Sequence, residues 1–209
     1  MGTATSGRRG RPATATRTDV LNAVTDQYLQ GQRVDITVVS RRLGLSRATI
    51  YRWFGSRERL LGEVIARQLE QLIERKRRDV GTGGAAGLLE VFDQINRSLA
   101  HSPALRRLFE QEPGAAQRLL TASTGVVQPR AVACVHRLIS DEVSAGAYDP
   151  PADPATLAYA IVRLAEAFLY RDAAAGLRGD HARLREVEAA LLGVPVVSPE
   201  VRKLPSNRR

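Results

Sequence analysis

Residues 36–61 read ITVVSRRLGLSRATIYRWFGSRERLL, two short amphipathic runs hinged on a glycine. Val39 and Leu43 stand four apart in the first run, and Ile50 and Phe54 four apart in the second. That spacing stacks side chains on one helical face, so each run predicts a short helix with an inner side. Asp35 precedes the first run and Ser46 the second. Both have side-chain oxygens that accept from the free amides of a first helical turn. Gly44 and Gly55 follow the two runs, where a chain leaves a helix through a backbone that few other residues tolerate. Leu45 in the turn completes a small core, and Ser40 is small enough to let the helices cross closely. The pattern predicts a helix-turn-helix with helices over 36–43 and 47–54.

Once the inner face is assigned, Arg47, Ala48, Thr49, Tyr51, Arg52 and Trp53 remain for the outer face of the second helix. A guanidinium, a methyl and a hydroxyl at the start of a helix reach base edges and thymine methyls in a major groove. The rings of Tyr51 and Trp53 carry polar tips that suit phosphate oxygens. Arg57 opens the next helix, whose free amides and positive dipole end also favour a phosphate. Double-stranded DNA is therefore the expected partner.

The charge of the 209-residue chain supports this partner, since its net +9 is unevenly spread. Residues 1–80 carry +8, residues 81–193 carry −2 and residues 194–209 carry +3. A basic head on a nearly neutral body fits a polyanion, although a solvated surface has the same composition. Residues 1–16, rich in Gly, Thr, Ala and Arg, predict a flexible basic arm, and residues 194–209 a disordered basic tail. Arg8 and Arg11 of the arm either enter a minor groove or stay in an inert solvated tail. The single cysteine, Cys134, excludes an internal disulfide and fits a reducing cytoplasm; it reads as a small buried apolar residue. The sequence has no apolar run of the ~18 residues that span a bilayer, and no secretory leader. His101, His136 and His181 lie far apart in sequence without carboxylates or cysteines at ligand spacing, so no metal and no cofactor is expected.

Apolar residues recur at three and four along the rest of the chain, which predicts an all-α protein. Helices are expected over 18–30, 57–79, 85–100, 103–110, 114–123, 129–145, 154–175 and 180–192. Gly81-Thr-Gly-Gly84 is the strongest breaker and marks the boundary between a DNA-binding part over 17–80 and a body over 81–193.

Residues 17–64 resemble the DNA-binding domain of the TetR/AcrR family of bacterial transcriptional regulators. The resemblance rests on Tyr51-Arg-Trp-Phe54 followed by Gly-Ser-Arg-Glu-Arg-Leu-Leu61. The family pattern places glycine where Ala48 stands, histidine or tyrosine where Trp53 stands, and lysine where Arg57 stands. The resemblance implies a three-helix DNA-binding domain joined by a long fourth helix to a helical ligand-binding and dimerisation domain. It also implies a cytoplasmic, homodimeric repressor released from a palindromic operator by a small molecule. The run LAEAFLYRD over 164–172 resembles the QsdR-like subgroup, regulators associated with lactone breakdown, and so points to a lactone-like effector.

The body is less decisive. The segment 154–175 is apolar around most of its girth, so with 129–145 it forms either a four-helix dimer interface or a monomer core. Tyr159, Arg163, Glu166 and Tyr170 follow one another at intervals of 4, 3 and 4, along one face. They either give polar contacts to a mostly apolar effector, with Phe92 and Phe168 as its apolar wall, or include a simple Arg163–Glu166 ion pair. Two other functions compete: a nucleoid-type DNA-binding protein without ligand control, and a small-molecule enzyme. No nucleophile elbow, Walker loop, zinc-protease motif or dinucleotide fingerprint supports the enzyme.

Overall fold

The computed structural model describes residues 15–170 and 180–195, which form ten α-helices and no strand. They are α1 Arg17–Leu29, α2 Ile36–Leu43, α3 Arg47–Phe54, α4 Arg57–Val80 and α5 Gly84–Ala100, then α6 Pro103–Gln111, α7 Pro113–Thr121, α8 Val127–Ser144, α9 Pro154–Tyr170 and α10 His181–Leu192. The arm with Arg8 and Arg11, the expected extension of α9 to 175 and most of the tail lie outside the described residues.

Local chemistry accounts for the helix ends. Thr16 and Asp19 form a reciprocal cap on α1, each accepting from the other's backbone amide at 3.2 and 2.7 Å. Asp35 accepts from the amides of Thr37 and Val38 at the head of α2. Ser46 and Ser56 cap α3 and α4 in the same way. Such caps satisfy amides that a helix start leaves open, at about 1 kcal/mol each. Gly44 ends α2 at φ +64°, a left-handed backbone that costs other residues about 1–2 kcal/mol. At Gly84, φ is +72° and an added Cβ would stand 2.9 Å from the Ala147 carbonyl oxygen, so α5 starts hard against the end of α8.

Two apolar cores organise the molecule. Val20, Val24, Val39, Ile50, Phe54, Leu60 and Val64 build the first from α1–α4. The glycine-rich helix break at Gly81 does not bound this core. Leu105 and Leu108 of α6 and Ala116 and Leu120 of α7 pack into it as well. The second core joins the far half of α4 to α5, α8, α9 and α10 through Ile73, Phe92, Leu138, Ile139, Ile161 and Leu192. The Tyr148 hydroxyl donates to the Leu192 carbonyl at 3.0 Å and so ties the turn before α9 to the end of α10. Thus α4 belongs to both cores, with its first turns under the helix-turn-helix and its last turns inside the body. Among the described residues, no helix is long and apolar enough to cross a membrane.

Candidate DNA-reading surface and effector cavity

Buried Ser40 and Val39 of α2 meet buried Ile50 and Phe54 of α3, and this contact turns the remaining face of α3 outward. Arg47, Ala48, Tyr51 and Arg52 are exposed. Thr49 is half-buried, its hydroxyl 2.9 Å from the Ser46 Oγ that caps the helix. Trp53 is half-buried against the first core, and its carbonyl accepts from Arg17 at 2.8 Å. The same Arg17 guanidinium lies over the Phe54 ring, 4.9 Å from its centre, which locks the end of α3 to the start of α1. Five side chains at the start and middle of α3 thus share one rigid, outward strip, with Trp53 at its inner edge.

Arg57, expected at a phosphate, is placed away from the outward strip of α3. Its Nε donates to the Val34 carbonyl at 2.8 Å, and its two terminal nitrogens donate to the Glu112 carboxylate at 3.1 and 2.7 Å. Arg33 reaches the same carboxylate at 2.8 Å. The guanidinium therefore faces inward, to the corner between α6 and α7, where a half-buried carboxylate outcompetes solvent. Its charge and the two hydrogen bonds it donates hold the Glu112 carboxyl below the usual range, helped by Arg33. The Gln111 amide adds a bond to the Gly31 carbonyl at 2.9 Å. Loop 30–35, the start of α4 and the α6–α7 corner are thereby clamped together.

The body contains a cavity of about 70 Å³ between α4, α5, α8, α9 and α10. Its wall is mostly apolar, with Leu69 and Ile73 of α4, Phe92 and Ile95 of α5, and Val135 and Ile161 of α8 and α9. Leu69, Leu99, Leu120, Val127 and Tyr170 are shared between this cavity and a groove of about 550 Å³ between α4 and the α5–α6 corner. A groove of about 670 Å³ between α4 and α8 is walled by Arg67, Glu70, Glu74, Arg75 and Arg137, and is too charged to shelter an apolar molecule.

Of the six residues expected at an effector, Glu166, Tyr170 and Phe92 line the cavity. Tyr159 does not: it is 50% exposed. Arg163 is exposed too, and donates to Glu166 at 2.7 Å and to the Thr121 carbonyl at 3.1 Å. Phe168 is buried on a neighbouring groove beside Leu105 and Phe109. The four polar residues of α9 do share a helical stripe, but its surroundings change along the helix. Near Tyr170 the stripe is covered by α6, whose Phe109 ring stacks on the tyrosine with centres 5.6 Å apart; near Tyr159 it is open. Burial pushes the Tyr170 phenol strongly up, as does the proximity of Tyr28 and Glu166.

Two further polar residues line the cavity: Asn96 on α5 and Glu188 on α10. The Asn96 amide donates to both Glu188 oxygens, at 2.9 and 3.2 Å. The signal for them was present in the sequence. Glu188 sits midway between Leu184 and Leu192, four residues from each, and Asn96 lies within the stripe Phe92, Ile95, Leu99. A polar residue inside an apolar stripe is what a built polar subsite looks like from sequence. His101 and His181, distant in sequence, stack with centres 6.1 Å apart.

The family described as tetracyclin repressor-like, C-terminal domain, matches residues 83–193, more than half of the chain. Among curated protein sequences none matches. The structure of the Rhodococcus (R. erythropolis) transcriptional repressor QsdR, of the TetR family, is similar at TM-score 0.79 and 28% identity, over 88% of this chain and 97% of that one. The TetR family repressor AlkX of Dietzia sp., implicated in n-alkane biodegradation, is similar in fold at TM-score 0.55 and 22% identity, over 89% and 100%. The Bacillus subtilis regulator FadR, solved with stearoyl-CoA, is similar in fold at TM-score 0.51 and 15% identity, over 85% and 97%. With its helix-turn-helix, its all-helical body and the match over 83–193, this chain belongs to the TetR family of ligand-responsive, DNA-binding transcriptional regulators.

Proposed function

We propose that the protein is a homodimeric repressor that binds a palindromic operator and leaves it when a small, mostly apolar molecule with one or two polar groups enters the body. In this reading residues 17–80 bind DNA and residues 81–193 hold effector and partner. Arg47 and Thr49 read base edges, Ala48 and Arg52 flank them, and Tyr51 and the edge of Trp53 meet phosphates. Arg8 and Arg11 follow the minor groove. Repression as the output is supported by the likeness to QsdR, itself a repressor.

One observation carries the reading: α4 is shared. Leu69 and Ile73 line the cavity, and the first turns of the same helix sit under α3. A molecule that widens the cavity pushes on the helix that sets the spacing of two recognition helices. Dimerisation is supported by apolar side chains left outside on α8 and α9, Val143 at 36% and Tyr159 at 50% exposure. The test is selection of a DNA site from a random pool, followed by footprinting with the protein. A palindrome with half-sites one helical turn apart is expected. Uniform coverage of any duplex would favour the nucleoid-type alternative instead.

A further inference from the structure

Glu188 is 1% exposed and Asn96 is 5% exposed, and both face an apolar cavity. A buried carboxyl is costly unless something there uses it. The amide of Asn96 is, among the described residues, its one neutral donor, shared between both oxygens. Among the described residues, the cation that acts on it is Arg185, three residues earlier on α10, which pairs with Glu90 at 3.1 Å and stands 3.3 Å from Asp93, its Nη1 buried without a hydrogen-bond partner. Asp93 is also held by Arg97 at 2.9 Å. Counting all five groups, α5 and α10 set three carboxyls against two guanidiniums in this cluster, of which Glu188 alone lines the cavity. From α9 come Glu166, which lies beside Arg163, and the phenol of Tyr170. The cavity faces of α4 and α8, through Leu69, Ile73, Ala131 and Val135, add no charge. Among the described residues the polar end is therefore net negative.

We propose that this cavity selects effectors carrying an N–H donor on an apolar chain, such as primary alkyl amides and alkylamines, and that Glu188, oriented by Asn96, receives that group while anions are turned away. The proposal rests on the reading of the cavity as the effector site. An ammonium or amide N–H gives the carboxyl the partner that Asn96 only partly provides, and charge-assisted bonds of this kind are the strong ones. A fatty carboxylate would add a negative group beside the Glu188 and Glu166 carboxyls that line the cavity. An ester or lactone offers only acceptors, which meet no donor on the ionised form of Glu188. Burial pushes the Glu188 carboxyl up to about 7, as expected for a carboxyl waiting for a donor. The cavity of about 70 Å³ holds the head group, and the chain runs out past Leu69 and Leu99 into the groove of about 550 Å³.

Four probes with one six-carbon chain separate the possibilities: hexanamide, hexylamine, hexanoate and methyl hexanoate. Calorimetry with the full chain at pH 7.5 is expected to show the amide and amine binding about ten-fold or more tighter than the acid and the ester. Glu188→Gln should remove most of the amine's advantage, and Asn96→Leu should reduce it. Ala131→Phe and Ala165→Leu, which fill the cavity from α8 and α9, should weaken all binding. Tightest binding by hexanoate or the ester overturns the proposal, as does absence of binding by both amide and amine at millimolar concentration. If the filling variants abolish binding but Glu188→Gln leaves the ranking unchanged, the cavity stands and the donor proposal falls. If they leave binding intact, the cavity itself is not the effector site.

Discussion

At Glu188 a charge sits where a hydrophobic side chain would pack, and its cost is visible as a pH dependence. Burial raises the carboxyl from about 4.5 to about 7, the Asn96 amide counteracting only in part. A carboxyl whose folded pKa is raised leaves stability intact below the unfolded value and removes it as pH climbs through the folded one. Native protein should therefore lose stability between about pH 4.5 and 7 at this site, relative to Glu188→Gln. Thermal melts should show the variant ~1–3 kcal/mol more stable at pH 8 and indistinguishable at pH 4; a variant less stable at pH 8 would contradict the assignment. Cys134 follows the same physics with a different group. It is buried and its thiol is pushed up by burial first and by Glu70 second. Little thiolate forms near neutrality, so a thiol reagent should label the folded protein far more slowly than the unfolded chain.

At the level of elements, the clamp around Glu112 joins pieces that the sequence separates by 55 and 79 residues. Its carboxyl is held low by Arg57 and then Arg33, so its contribution is present above the unfolded pKa and lost as pH falls through the folded one. Glu112→Gln should destabilise by ~1–3 kcal/mol at pH 7, with the difference fading in acid, as denaturant titrations at several pH values would show. On α3 the expectation is different in kind. Thr49→Ala should change preference at one base pair per half-site by ~1–3 kcal/mol, measured by competition between operators. Its hydroxyl also contacts the Ser46 cap, so a uniform loss across all sequences would assign Thr49 to the cap instead. These two sites also show what was legible in sequence. Caps, glycine stops and i, i+4 pairs are local, and they place the ends of α2 and α3 to the residue and those of the other helices within about two, save the end of α9, expected at 175, outside the described residues. The partner of Arg57 is not local. Its position at a helix start pointed to phosphate, while Glu112 arrives from another element. The polar stripe of α9 was legible as a stripe, but what covers each end of it was not, and so Tyr159 and Arg163 were expected in a cavity that Asn96 and Glu188 line.

At the scale of the whole molecule, two claims meet: a second copy binds the outside of α8 and α9, and an effector competes with DNA through α4. Tyr159 and Val143 are exposed on those helices, whereas Phe168 is buried in the single chain. Tyr159→Glu should therefore shift the assembly toward monomer in light scattering with little change in melting of the fold, while Phe168→Glu should unfold the body. A palindrome needs two α3 helices at fixed spacing, so the monomer should also lose most operator affinity. Coupling makes a stricter demand. If an effector lowers operator affinity by some factor, operator must lower effector affinity by the same factor, because both compare the same four states. That factor is read twice, by titrating effector against the protein–operator complex and by titrating operator against effector-saturated protein. Equal factors are expected in native protein. Weakening the clamp with Glu112→Gln should reduce both factors together, since the α6–α7 corner is the second path, after α4, that ties body to head. A release of DNA by effector without any reciprocal loss of effector affinity would mean that DNA is lost by a route other than coupled binding, such as unfolding of the head, and the shared-helix mechanism would be wrong.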